Sequence, residues 1–163
     1  MAERSTLAER SFERLAEQRG DITQDVLERY YRRYPDGRAS FEHHGLGNRA
    51  ELEGRMVSTT AFLLMQWAQD PGGTRIEQGT TIVHHQDTLE IGPRLYLGLI
   101  DAVLEVLFET IPDESAEERA FWLSLRGEIA DFLESVRPEF WRKDKDGPLP
   151  SPPFAEGITD PPQ

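Results

Sequence analysis

The sequence predicts an all-α domain. Apolar residues recur at spacings of three and four over most of the 163 residues, and the breaks between these stretches carry the Gly, Pro, Asp and Ser expected where helices start and stop. A content of 37% hydrophobic residues suits a single core. No stretch shows strand and helix patterns in alternation, and no period of 20 to 50 residues repeats, so α/β sheets and solenoids are both disfavoured.

The first helix is expected from about Ser5, as N-cap, to Gln18, with Leu7, Phe12 and Leu15 apolar and Gly20 as C-cap. A second begins at Asp21 or Thr23, either of which can cap it. It carries Ile22, Val26, Leu27, Tyr30, Tyr31 and Tyr34 until Pro35-Asp36-Gly37 stops it. A short turn then leads to Phe41, and His43 to Asn48, with Gly45 and Gly47, reads as a loop.

From Arg49 to Ala68 the positions Leu52, Met56, Phe62, Leu63, Leu64 and Trp67 follow a helical rhythm that Asp70-Pro71-Gly72-Gly73 breaks. The segment Thr74 to Thr88 is polar and interrupted by Gly79, so it predicts a short or irregular helix, with Ile76, Ile82, Val83, His84 and His85, that needs a partner or ligand to stay ordered. Gly92-Pro93 opens the most apolar helix, through Phe108, which must be central and buried. Ser115-Ala116-Glu117-Glu118 has the form of a capping box and starts a last helix, through Val136, that Pro138 limits. Local pattern thus reaches six or seven helices over residues 1–140. Residues 141–163, with Pro148, Pro150, Pro152, Pro153, Pro161 and Pro162, form a proline-rich tail expected to be disordered or extended.

Composition narrows the chemistry. With no cysteine, thiolate catalysis and cysteine-bound zinc or iron-sulfur clusters are excluded, so any metal is held by histidine, carboxylate, methionine or tyrosine. A formal net charge of −12 opposes nucleic-acid backbones and anionic lipid, and neither is an expected partner. No apolar run reaches the roughly 18 to 20 residues that cross a bilayer, and the start of the chain lacks a secretion signal, so a cytoplasmic protein is expected.

Two strings are more specific. Phe12 to Phe41 looks like the opening two helices of bacterial globins, and Tyr34-Pro35-Asp36-Gly37-Arg38-Ala39-Ser40-Phe41 resembles the turn in which a proline precedes, by six residues, the phenylalanine that packs on the haem. Val83-His84-His85, followed by Leu89, Ile91, Pro93 and Leu95-Tyr96, is similar to the proximal histidine, corner and following helix of sensor-type globins. The resemblance covers roughly residues 7 to 137. It implies a globin-like fold of six to eight helices, a haem b with its iron, and a small gaseous ligand (O2, NO or CO) or a redox state to be bound or sensed.

By the same resemblance the iron ligand is His85, with His84 as runner-up, because adjacent helical residues point about 100° apart and only one can face a given ligand. Phe41, Leu52, Met56, Leu95, Leu99 and Val103 are the implied haem walls, with ordinary core as the alternative reading of that group. The position facing bound gas falls on Leu27, and those of the following helix on Leu52 and Met56, none of which donates a hydrogen bond. His43 or His44 is a candidate distal ligand swinging in from its loop.

No reductase or signalling segment accompanies the domain, so turnover or signalling implies a separate protein partner, and a homodimer stays open. Two other functions compete with haem binding. One is a haem-free globin-fold regulatory protein. The other is a helical metalloprotein using the four histidines with Glu42, Asp87 or Glu90, although no H-E-x-x-H motif and no histidine pair at i, i+4 is present. Enzymatic turnover is the lesser expectation.

Overall fold

A computed structural model describes residues 2–140 and 147–155, and among them the chain is wholly helical, without a strand. Seven helices follow in order: α1 (Ala2–Arg19), α2 (Thr23–Arg33), α3 (Pro35–His44), α4 (Arg49–Gln69), α5 (Pro71–Asp87), α6 (Pro93–Phe108) and α7 (Ala116–Phe140).

The central position of α6 follows from its composition. Proline occupies its first turn, where the missing N–H leaves no intrahelical bond unmade. Beyond it Leu97, Ile100, Val103, Leu104 and Leu107 are buried along one face, and Ala102 and Val106 widen it. Four helices, α1, α2, α4 and α7, pack on it to remove that surface from water. The α2–α6 approach is close: a Cβ on Gly98 would stand 2.5 Å from the Tyr34 ring. Only glycine lets the two backbones meet over an aromatic residue there.

The two largest fully buried side chains, Trp67 and Trp122, each find a polar partner for the indole N–H. Trp67 donates to Glu128 at 3.1 Å and Trp122 to the Ser11 hydroxyl at 3.1 Å. Ser11 in turn donates its own proton, with Leu7 carbonyl at 3.0 Å and Glu118 carboxylate at 2.5 Å as acceptors. These bonds tie α1 and α4 to α7 while keeping the buried donors satisfied.

Several boundaries differ from those the local pattern predicts. Helix α1 begins three residues before Ser5, whose hydroxyl bonds Glu9 at 3.0 Å as an interior residue instead of capping. Pro35-Asp36-Gly37 ends α2 but also starts α3, a ten-residue helix that absorbs both the expected turn to Phe41 and the first part of the expected His43–Asn48 loop. So short a helix has little intrinsic stability. It is held by Gly37 lying against Tyr30 and by Phe41 edge-on to Tyr30 and Tyr31, with ring centroids 6.1 Å apart in both pairs.

Helix α5 is a regular 17-residue element rather than a short irregular one. Pro71 sits in its first turn, and the Asp70 carboxylate accepts from Gly73 N–H at 3.0 Å. Thr74 and Ile82 are its buried anchors. Helix α7 passes through Pro138 and ends at Phe140. Proline near the last turn keeps a helical φ and costs one backbone bond, without forcing a stop.

Part of the proline-rich tail is placed. Residues 147–155 run without helix, as expected, yet they are not simply solvated: Leu149 and Phe154 pack on the core, with the Phe154 and Phe108 ring centroids 4.4 Å apart. The Pro150 carbonyl accepts from Arg126 Nη2 at 2.5 Å. Apolar residues this sparse gave no pattern to read, because two contacts on an existing surface need no periodicity. The rest of the expected tail lies outside the described residues.

Candidate functional site

A cavity of about 280 Å³ opens between α2, α3, α4, α5 and α6 and includes the corner before α6. Its wall is mostly apolar. Helix α3 contributes Phe41, α4 contributes Leu52, Met56 and Leu63, the corner contributes Leu89 and Ile91, and α6 contributes Leu95, Leu99 and Ile100. Residues 52, 56, 59, 60 and 63 recur at helical spacing, so one face of α4 forms a continuous wall.

His85, in the last turn of α5, borders this cavity, whereas its neighbour His84 is exposed and does not. Nδ1 of His85 lies 2.8 Å from the Thr81 carbonyl oxygen, one turn back. A carbonyl only accepts, so Nδ1 carries the proton and the neutral ring keeps its lone pair on Nε2. Burial pushes the His85 pKa below its ordinary value, the Thr81 bond opposes this, and the charges of His84 and His44 add to the lowering. An imidazole kept neutral, with one nitrogen oriented by a backbone carbonyl and the other unprotonated, is the form that ligates a metal.

Of the residues expected around a cofactor, Phe41, Leu52, Met56, Leu95 and Leu99 line the cavity together with His85. Leu27 and Val103 are buried in the surrounding core and do not border it. On α2 the wall is formed one turn later than expected, by Tyr30, and on α6 it ends at Ile100, before Val103.

Both candidate distal histidines stand on the last turn of α3 and not in a loop. His43 is exposed on the last turn. His44 borders the cavity, but its Nε2 stands 3.2 Å from the Leu89 carbonyl, to which it can only donate, and this ties α3 to the corner after α5.

Tyr30, Gln78, Thr81 and Tyr96 are cavity residues that a search for apolar walls passes over. Gln78, Thr81 and His85 stand at spacings of three and four, the signal that places them on one face of α5. Tyr96 donates to Gln78 Oε1 at 2.8 Å, and its ring stands edge-on to His85, centroids 5.6 Å apart. Tyr30 donates to the Leu95 carbonyl at 3.3 Å, and Thr60 donates to the Met56 carbonyl at 2.8 Å. Burial raises the pKa of both Tyr30 and Tyr96, so both phenols remain protonated. The hydroxyl protons of Tyr30, Thr60 and Tyr96 are therefore committed within the protein.

Among the described residues no three His, Asp or Glu side chains converge as a metal site. A histidine and carboxylate metal centre thus has no seat among them. Among the same residues no helix is long and apolar enough to cross a membrane. No family model, no curated protein and no solved structure matches the chain.

Proposed function

We propose that this protein binds haem b in the α2–α6 cavity through His85 and uses it to bind or sense a small gaseous ligand or a redox state, as the sequence resemblance to globins implies. The observation that carries this reading is the Nδ1 contact of His85 with Thr81 at 2.8 Å beside an apolar cavity. The residues present fit the group. The neutral His85 imidazole would hold the iron, and Phe41, Leu52, Met56, Leu95 and Leu99 would shield the porphyrin from water.

When bound, the haem would supply an iron with one coordination position for the ligand. The protein's part is to hold the His85 tautomer, exclude water with the α4 and α6 faces, and set the polarity at the ligand position. Leu52 and Met56 offer no donor there. This favours ligands that need no hydrogen bond, such as CO or NO, over tightly held oxygen.

The test is the visible spectrum of the purified and haemin-reconstituted protein, oxidised, reduced and with CO. A Soret band is expected in the wild type and in His84→Ala, and its loss in His85→Ala. Absence of any Soret band after reconstitution would overturn the haem reading in favour of a haem-free regulatory protein.

A further inference from the structure

We infer that Gln78 and Tyr96 form a clamp between α5 and α6 that positions the His85 imidazole; the functional meaning of this rests on the proposed role of His85 as axial ligand. Helix α5 needs such a clamp. It contains Gly72, Gly73 and Gly79 and the β-branched Thr74, Ile76, Thr80, Thr81, Ile82 and Val83, all weak helix formers. It lies chiefly against α4 and α7, and Thr74 and Ile82 are its only fully buried residues among those described.

Tyr96 reaches this helix from α6 at two points. Its hydroxyl donates to Gln78 Oε1 at 2.8 Å, and its ring meets the His85 ring edge-on, with planes at 77°. The two contact points are seven residues apart on α5, about two turns, and Thr81 lies between them on the same face. One partly buried side chain therefore spans the segment that carries both the imidazole and the carbonyl that orients it.

The Thr81 bond alone cannot place the ring relative to the cavity, because Thr81 and His85 move together on one helix. Tyr96 belongs to the central helix, whose Leu97, Ile100, Val103, Leu104 and Leu107 are buried in the core. Its two contacts refer the imidazole to the most fixed element of the fold. Tyr96 and Gln78 are thus positioning residues and need not touch a ligand at the iron.

The variants Tyr96→Phe and Gln78→Met test this. The first keeps the ring beside His85 and removes the donor; the second keeps side-chain length and removes the acceptor. Hydrogen exchange is measured first on the protein without haem. Both variants should speed exchange of the amides from Thr81 to Asp87 by about five- to tenfold, the effect of losing one buried hydrogen bond. Exchange in α6 should not change, and the double variant should match the singles, because the two groups act through one bond. Unchanged exchange in α5 overturns the clamp, whatever the haem result.

The second readout is the iron–imidazole stretching band of the reduced, haem-loaded protein. It should shift or broaden in both variants, and an unchanged band overturns the positioning role. A wild type that takes up no haem overturns the proposed function instead, while the exchange measurement still decides the clamp.

Discussion

The His85 Nδ1 donates to the carbonyl oxygen of Thr81 at 2.8 Å, so the tautomer of this cavity-lining histidine is set by its own helix. Two consequences follow from the same bond. It places the proton on Nδ1, and it leaves Nε2 of the ring, which burial and not this bond keeps neutral, as the nitrogen that is not tied to the backbone.

Stability should therefore depend on His85 in the mildly acidic range. Burial lowers its pKa in the folded protein below the 6.5 of the unfolded chain. Just under about pH 6.5 the unfolded chain binds a proton that the folded one does not, so stability rises with pH and is lost as the pH falls through this window. Urea midpoints at about pH 7.5, 6.5 and 5.5 should fall more steeply for the wild type than for His85→Gln. Parallel pH profiles would refute the assignment.

The ligand side of the cavity makes a second prediction. Leu52 is half-buried and borders the cavity, so glutamine can replace it without stranding its amide. In haem-loaded Leu52→Gln the amide should donate to bound oxygen and slow its release. A hydrogen bond to such a polarised group is worth about 1.5 to 3 kcal/mol, which corresponds to roughly 10- to 150-fold. CO release should change far less. Stopped-flow displacement of oxygen by CO measures both.

Two glycines should respond in opposite directions to the same substitution. A Cβ on Gly37 would stand 2.5 Å from the Tyr30 hydroxyl and 2.6 Å from its ring, so the buried Tyr30 ring would have to shift. Gly37→Ala should destabilise the fold by about 1 to 3 kcal/mol and disturb the Tyr30 wall of the cavity. Gly54, within α4, has nothing within 4 Å of such an atom. Gly54→Ala should stabilise by about 0.4 to 1 kcal/mol, because alanine restricts the unfolded chain and favours helix. Thermal unfolding of the two variants gives the comparison directly.

These examples show which features the sequence makes legible. Helix α6 was readable because Pro93 marks its start and its apolar residues form a wide face, two signals that need no knowledge of the neighbours. Helix α3 was not, since ten residues containing Gly37, His43 and His44 lack a periodic face, and its order comes from Tyr30 and Tyr31 on another helix. Helix α5 read as weak for a true reason, its propensities, but tertiary anchoring at Thr74 and Ile82 and capping by Asp70 outweigh them. At the site Phe41, Leu52, Met56, Leu95 and Leu99 came from the resemblance joined to inward-facing helical positions, not from spacing alone. Leu27 and Val103 fell just outside, because spacing fixes which face a residue shares but not how far along the helix the cavity extends. The Tyr96–Gln78 bond joins residues 18 positions apart through a corner, and no local pattern encodes it.

The last prediction concerns the buried pair on α6 and α7. Arg126 donates from Nε to Asp101 Oδ1 and from Nη2 to Asp101 Oδ2, both at 3.0 Å, while Nη2 also meets the Pro150 carbonyl. Both side chains are less than a tenth exposed. Burial raises the Asp101 pKa, and the Arg126 bonds and charge oppose that rise. Arg126→Leu should therefore cost about 3 to 5 kcal/mol at neutral pH, since it leaves a carboxylate buried without its partner. The double variant Asp101→Leu/Arg126→Leu should recover most of this loss, because it removes the desolvated charge as well. The sign of the pH effect distinguishes this account from simple loss of packing. In the single variant the folded protein binds a proton at Asp101 more tightly than the unfolded chain does. Its deficit relative to the double variant should then shrink as the pH falls toward the ordinary aspartate range. A deficit independent of pH in urea unfolding would assign the loss to packing and to the released tail contact at Pro150, not to the orphaned charge.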